Sequence, residues 1–223
     1  MSKNLYLLDA YALIYRSYYA FIKNPRFNSK GLNTSAIYGF TNTLIDLIAK
    51  ENPSHVAVVF DPSGPTFRHE IYKEYKANRE AMPEDIRKSI PYIKNIIEGF
   101  QIPILQFEGY EADDVIGSLS KQAEKEGFIT FMMTPDKDYG QLITDRIKMY
   151  KPGRAGGDME IIDKEKICQK FKIDNPEQVI DIMGLMGDSS DNIPGAPKIR
   201  KKTAIKLINK YGSIENLYEH IDE

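Results

Sequence analysis

The chain has one cysteine, three histidines and no apolar stretch of the roughly 18 residues that a membrane-spanning helix needs. A single cysteine excludes an internal disulfide framework. Cys168 sits among Ile167, Phe171 and Ile173 and reads as a packed or half-buried thiol rather than a nucleophile. Neither Cys168 nor His55, His69 and His220 shows the ligand spacing of a zinc site. The opening residues 1–8 are too short an apolar run, and too soon interrupted by Asp9, to be a signal peptide. The expectation is a cytoplasmic protein with no membrane partner. A formal net charge of −2 also withholds any global nucleic-acid signature.

What the chain does have is enough apolar content, 42% of 223 residues, to bury a full core as one large domain or one domain with a small appendage. It also has acids where its apolar runs stop. Residues 5–8 run into Asp9, 56–60 into Asp61, 102–107 lead to Glu111, Asp113 and Asp114, and 129–133 lead to Asp136 and Asp138. A later turn adds Asp188 and Asp191. In an open α/β sheet the carboxyl ends of the strands line the ligand crevice, so side chains far apart in sequence would converge there. Two carboxylates about 5 Å apart repel by roughly 3 kcal/mol at an effective dielectric near 20, so such a cluster requires cations or protons. Acids in a first helical turn or an Asx turn also have ordinary structural uses. Seven on one sheet edge do not. Oxygen-only donors suit magnesium, and two ions about 4 Å apart would support hydrolysis of a phosphodiester.

Helical spacing at Ile37, Phe40, Leu44, Leu47 and Ile48, and again at Ala112, Val115, Ile116, Leu119 and Ala123, places amphipathic helices between short β-rich runs. The expected fold is α/β, a central mainly parallel sheet flanked by helices with right-handed crossovers. Residues 147–150 would add a fifth strand. The turn-rich residues 152–158 mark the expected boundary to a helical C-terminal portion, with helices over 163–171, 176–186, 202–211 and 213–220, and Asp163, Asn175 and Ser213 as N-caps. Residues 61–91 are weakly apolar and punctuated by Pro62, Gly64, Pro65, Pro83 and Pro91. They read as a mobile element over the crevice, broken into pieces by the prolines, with a better packed helix around Ile86, Ile90, Ile93 and Ile97. Between residues 192 and 214 lie six basic residues and no acid. A turn entering a helix there, at Lys202 and Thr203, suits a backbone phosphate rather than a base.

Taken in order, Asp9 with Tyr15-Arg16, Val58-Val59-Phe60-Asp61, Phe67-Arg68, Tyr75-Lys76-Ala77-Asn78-Arg79, Gly109-Tyr110-Glu111-Ala112-Asp113-Asp114, Thr134-Pro135-Asp136-Lys137-Asp138 and Gly187-Asp188-Ser189-Ser190-Asp191-Asn192-Ile193-Pro194-Gly195 resemble the 5′ nuclease domain of bacterial DNA polymerase I, within the flap endonuclease superfamily. The likeness spans residues 5–217. It implies a PIN-like nuclease core over 1–151, including a helical arch over about 62–91, and a helical DNA-binding region over 158–223 with a helix-hairpin-helix near 186–211. It implies that all nine acids line a magnesium site, with manganese able to substitute, and that the catalytic group is Lys76, Arg79, Asp61 and Asp114. Lys76 would position the scissile phosphate and Arg79 would make a second phosphate contact. Arg16 and Arg68 would be further basic neighbours, and Tyr75 would stack on a terminal base. The implied substrate is DNA with a 5′ flap or 5′ end, or an RNA primer, cut by a monomer in the bacterial nucleoid and fused in the full-length protein to a polymerase.

Two departures stand out. The family hairpin carries glycines where this chain has Lys198 and Arg200 flanking Ile199. Glycine permits left-handed backbone and close phosphate approach, so an amide nest and the potassium site seen in relatives lose their usual support, and the two cations would hold phosphate by charge instead. The chain also stops at Glu223, short of the further helices of polymerase I, which suggests a fragment or an unusually short stand-alone nuclease. Two other readings fit less well. A phosphatase using Asp9 as nucleophile would want a second Asp two residues on, where Tyr11 stands. A non-catalytic DNA-binding module would leave the acids without a use.

Overall fold

The computed structural model describes residues 3–153 and 157–221. Six strands, β1 (Asn4–Asp9), β2 (His55–Val59), β3 (Ile104–Leu105), β4 (Ile129–Met133), β5 (Ile147–Lys151) and β6 (Glu160–Ile162), form one sheet in the order β3-β2-β1-β4-β5-β6. The first five are parallel, and β6 joins β5 antiparallel. Strand order reverses at β1, which pairs on one side with β2 (Leu7 opposite Ala57) and on the other with β4 (Leu7 opposite Met132). That reversal puts the crevice beyond the carboxyl ends of β1 and β4.

Both faces of β1 are buried, as its unbroken apolar run requires. Leu7 packs with Ala57, Val59 and Met132 on one face, while Tyr6 and Leu8 pack with Val58, Phe60 and Met133 on the other. Three helices cover the second face: α1 (Ala10–Ala20), α2 (Ser35–Glu51) and, past the short α3 (Phe67–Ile71), α4 (Glu84–Gly99). The first face is covered by α5 (Ala112–Lys125), α6 (Lys164–Phe171), α7 (Gln178–Met186) and α8 (Lys201–Tyr211), and α9 (Ile214–Glu219) closes the chain. Ile167, Phe171, Val179, Ile182, Ala204 and Ile208 share a single core cluster with sheet residues. Cys168 packs, half-buried, against that cluster.

Several local expectations meet corrections. The sheet resumes past the turn-rich residues 152–158 as β6, and residues 154–156 of that segment lie outside the described residues. Only two residues of 102–107 pair as a strand. Pro91 sits inside α4 without ending it, because one missing N–H is offset by the burial of Ile86, Ile93 and Ile97. Asp163 and Ser213 do cap their helices, accepting from the Lys166 and Asn216 amides at 3.0 and 3.2 Å. Asn175 instead stands two residues before the cap position, its Oδ1 accepting from the Glu177 amide at 3.3 Å, and Glu177 holds that position. Among the described residues no helix is long and apolar enough to cross a membrane.

Candidate metal centre and nucleic-acid interface

Each strand that ends at the crevice delivers its acid by a different local device. Asp9 closes β1 and turns the chain into α1, its Oδ1 accepting from the Ala12 amide at 3.1 Å. Its other oxygen accepts from the Thr134 and Tyr139 hydroxyls at 3.2 and 3.1 Å, both brought by the loop after β4. Asp61, after β2, accepts from the Ala112 amide at 2.9 Å and so ties that strand end to the start of α5. Glu111 precedes α5, Asp113 and Asp114 sit in its first turn, and Asp114 accepts from the Glu111 amide at 3.0 Å. Asp136 accepts from the Asp138 amide at 3.1 Å, a turn that keeps the two acids close enough for the Asp136 charge to act on Asp138.

This concentration has an electrostatic cost. Burial pushes the Asp9 carboxyl up to about 7, and the neighbouring Asp61 charge adds to the rise, against hydrogen bonds from Ala12, Tyr139 and Thr134. Burial also lifts Asp113 to about 6 despite Arg68, with Asp114 and Glu111 adding to it. Asp138 rises to about 7 through burial and the Asp136 charge. One oxygen each of Asp113 and Asp138 is buried without a hydrogen-bond partner.

Four basic side chains answer that charge. Arg68 grips Asp114 with both guanidinium nitrogens at 2.6 and 2.8 Å and reaches Glu111 at 3.7 Å. The Asp114 bond raises the Arg68 pKa further. Lys76 donates to Glu111 Oε1 at 2.7 Å, Arg79 to Asp191 Oδ1 at 2.5 Å, and Lys137 to Asp188 Oδ2 at 3.2 Å. Burial opposes the charged form of Asp188, but the Ser190 amide and Lys137 hold its carboxyl below the usual value.

The stretch after α3 is thereby locked onto the 188–192 turn. The Lys76 amide donates to the Asp191 carbonyl at 2.9 Å, Asn78 to the Ser189 carbonyl at 2.7 Å, and Asn192 back to the Glu74 carbonyl at 2.7 Å. Tyr75 is 5% exposed, and its hydroxyl lies 2.9 Å from Glu111 and 3.0 Å from Asp191. One hydroxyl proton cannot serve two carboxylates, so this contact too requires a proton or cation nearby. Tyr75 in this state offers no face for base stacking.

The hairpin after α7 depends on two glycines. Gly187, at φ 70, lies so close to Gly195 that a Cβ on it would meet the Gly195 nitrogen at 2.3 Å. Asp188 and Ile193 then form an antiparallel bridge, and the acids at 188 and 191 face the crevice groups already named. Beyond the bridge, Lys198 keeps a left-handed backbone at φ 65 although it is not glycine. Lys198, Arg200, Lys202 and Thr203 are exposed, and among the described residues none of the three cations makes an ion pair. Arg16 stands apart, donating to the Gly153 carbonyl rather than to any acid, and burial lowers its pKa.

Residues 4–172 match the family model of the 5′-3′ exonuclease N-terminal, resolvase-like domain, and residues 174–223 match that of the 5′-3′ exonuclease C-terminal SAM fold. The chain belongs to the 5′-3′ exonuclease family. It is 43% identical to a DNA polymerase I of Bacillus subtilis over 99% of this chain and 25% of that protein, so it spans about a quarter of that relative. It is 40% identical to a 5′-3′ exonuclease of Aquifex aeolicus over 98% of this chain and 73% of that one. A T5 5′-exonuclease solved with zinc ions shares its fold at TM-score 0.78 and 22% identity, covering 97% of this chain and 79% of that one.

Within this exonuclease-family chain shared basic partners link Glu111, Asp113 and Asp114 through Arg68, Glu111 and Asp191 through Lys76, and Asp138 and Asp188 through Lys137, yet among the described residues no three acids stand close enough to grip an ion together. Arg68, Lys76, Arg79 and Lys137 meanwhile hold carboxylate oxygens that a cation would use. The donor set still suits a hard divalent ion, being all oxygen, with two orphaned carboxylate oxygens and three carboxyls pushed upward. Reading the sequence missed Tyr139, Thr134 and Lys137 as partners of Asp9 and Asp188. Their signal was adjacency, since all three lie in the Thr134-to-Tyr139 run read only for its acids.

Proposed function

We propose that this chain is a metal-dependent, structure-selective 5′ nuclease. It hydrolyses DNA phosphodiesters at 5′ flaps and 5′ ends, as flap endonuclease and 5′-3′ exonuclease, using two magnesium ions. RNA primers are further substrates, and the chain acts in replication and repair as the N-terminal part of a bacterial DNA polymerase I, in the cytoplasm. The observation that carries the reading is the convergence of carboxylates from the ends of β1, β2 and β4, the start of α5 and the 188–192 turn at one sheet edge.

Asp9, Asp61, Glu111, Asp113 and Asp114 form one group of metal candidates, and Asp136, Asp138, Asp188 and Asp191 a second. Bound ions would neutralise charge building on the phosphate and make an attacking water more acidic. Tyr139 and Thr134 hold Asp9 in place, and the Ala112 amide orients Asp61. A phosphate entering between the two groups offers Lys76 and Arg79 a new anionic partner in exchange for Glu111 and Asp191. The exposed Lys198, Arg200, Lys202 and Thr203 at the start of α8 would hold duplex backbone, with helix N-terminal amides adding to the attraction.

The test is cleavage of an end-labelled 5′-flapped duplex with magnesium. Product should form, vanish with chelator, and collapse in Asp114→Asn. Undiminished cutting in chelator removes the proposal.

A further inference from the structure

We propose that the cavity between α5 and the 3-10 turn Lys137–Leu142 is a second phosphate site, taking the phosphodiester next to the scissile one, with Lys121 as its cation. The inference rests on the nuclease reading and adds a residue that none of the motifs contains.

The cavity measures about 430 Å³ and opens directly beside Asp113, Asp114 and Asp138. Residues 113, 114, 117, 118 and 121 recur at helical spacing, so one stripe of α5 forms its wall. Gly117 sets the width. A Cβ there would meet Leu142 Cδ1 at 3.2 Å and Cδ2 at 3.4 Å, so glycine lets the helix lie against the turn without displacing the Leu142 side chain that lines the cavity.

Charge is distributed unevenly along this space. At one end are three acids with Arg68 already committed to Asp114. At the other end is Lys121, half-buried and without a hydrogen bond or ion pair among the described residues. The four cations at the crevice each hold a carboxylate, whereas this one faces a cavity. Ser118 and Gln141 supply neutral polar groups between the ends, and Gln141 donates one amide hydrogen to the Asp138 carbonyl at 3.0 Å, which leaves its second amide hydrogen and the Ser118 hydroxyl as donors to a phosphate oxygen. Seven residues of helix separate Asp114 from Lys121, about 10 Å along the axis. A strand whose reacting phosphate lies at the acids therefore brings a neighbouring phosphate within reach of the ammonium, with a sugar against Leu142.

The experiment compares wild type, Lys121→Ala, Lys121→Arg and Lys125→Ala, the last an exposed lysine on the same helix outside the cavity. Flapped duplex is titrated in chelator at several salt concentrations, and steady-state cleavage is measured with magnesium. Lys121→Ala should weaken binding three- to tenfold, raise KM with kcat within twofold, and flatten the slope of log affinity against log salt by about 0.7 to 0.9, the change for one lost phosphate contact. Lys121→Arg should restore the slope, and Lys125→Ala should match wild type. A wild-type chain that binds and cuts while Lys121→Ala keeps its slope and KM overturns the site but leaves the nuclease reading standing. A loss confined to kcat overturns it as well. A wild-type chain that neither binds nor cuts removes the nuclease reading and the site with it.

Discussion

Lys76 Nζ lies 2.7 Å from Glu111 Oε1, and the lysine reaches it from a left-handed backbone at φ 57. A non-glycine residue in that region is strained and persists where surrounding contacts over-determine it. Here they do: the Lys76 amide is held by Asp191, and Asn78 and Asn192 hold the flanking backbone. The side chain proposed to meet phosphate is thus parked on a carboxylate proposed to meet metal.

Lys76→Ala should therefore act in two opposite directions. Freeing Glu111 should tighten divalent-metal binding several-fold. Losing the phosphate partner should cut the rate of flap cleavage by ten- to a hundredfold, the equivalent of the roughly 1.5–3 kcal/mol of a charge-assisted hydrogen bond. Metal titration calorimetry beside cleavage rates tests both. Weaker metal binding in the variant would mean that Lys76 does not compete with the ion.

The metal-free protein should become less stable as pH rises from about 4 to 7. Asp9, Asp113 and Asp138 have folded-state values of about 7, 6 and 7 against an unfolded value of 3.8. Across that window the folded chain binds more protons than the unfolded one, so stability is fully present below the unfolded value and is lost on passing the folded ones. For the fully buried Asp9, a rise from 3.8 to about 7 corresponds to at most about 4 kcal/mol. Asp188, held low, works in the opposite sense. Melting in chelator should give a Tm lower by about 5 °C or more at pH 8 than at pH 5, and a divalent ion should restore more at pH 8. A flat or rising Tm would contradict the raised values.

The parts of this site legible in the sequence were those set by neighbours along the chain. Asp9 and Asp61 follow directly from where an apolar run stops, and Asp113 and Asp114 from the start of a helical period. Caps at Asp163 and Ser213 are likewise local. The aromatic α1, with Tyr11, Tyr15, Tyr18 and Tyr19 around its buried Leu13 and Ile14, shows no clean apolar stripe and has no counterpart among the helices expected from the sequence. The three-residue β6 is too short to announce itself, since its pairing with β5 comes from tertiary contact. What no local pattern carries is which cation answers which acid. Arg68 and Asp114 are 46 residues apart and Arg79 and Asp191 are 112 apart, and tertiary packing decides that they meet.

The resemblance implies Arg68 as a basic neighbour on the DNA side, whereas its bidentate hold on Asp114 makes it a counter-charge in this state. Arg68→Ala should leave Glu111, Asp113 and Asp114 facing one another uncompensated. Because the pair is only partly buried, the loss in chelator should be about 1–3 kcal/mol, below the 3–5 typical of breaking a fully buried pair. Millimolar divalent ion should recover most of it by occupying the carboxylates. Denaturant unfolding with and without metal measures both quantities, and an equal loss under the two conditions would show that Arg68 stabilises by packing, not charge.

Lys198 occupies a hairpin position where the resembled family carries glycine, and it keeps the left-handed backbone at φ 65. Holding an L side chain there costs free energy that glycine does not incur. Its ammonium is exposed and makes no ion pair among the described residues, so no charge contact there offsets that cost. Lys198→Gly should then raise stability by about 0.5–1 kcal/mol, or Tm by about 2–4 °C. If the charge stands in for the lost amide nest, the same change should flatten the salt dependence of duplex binding by about 0.9 in slope. Arg200, extended at φ −107, should gain no stability from glycine, which makes Arg200→Gly the internal control. A Lys198→Gly chain less stable than wild type would mean that the lysine makes contacts that the strain argument omits.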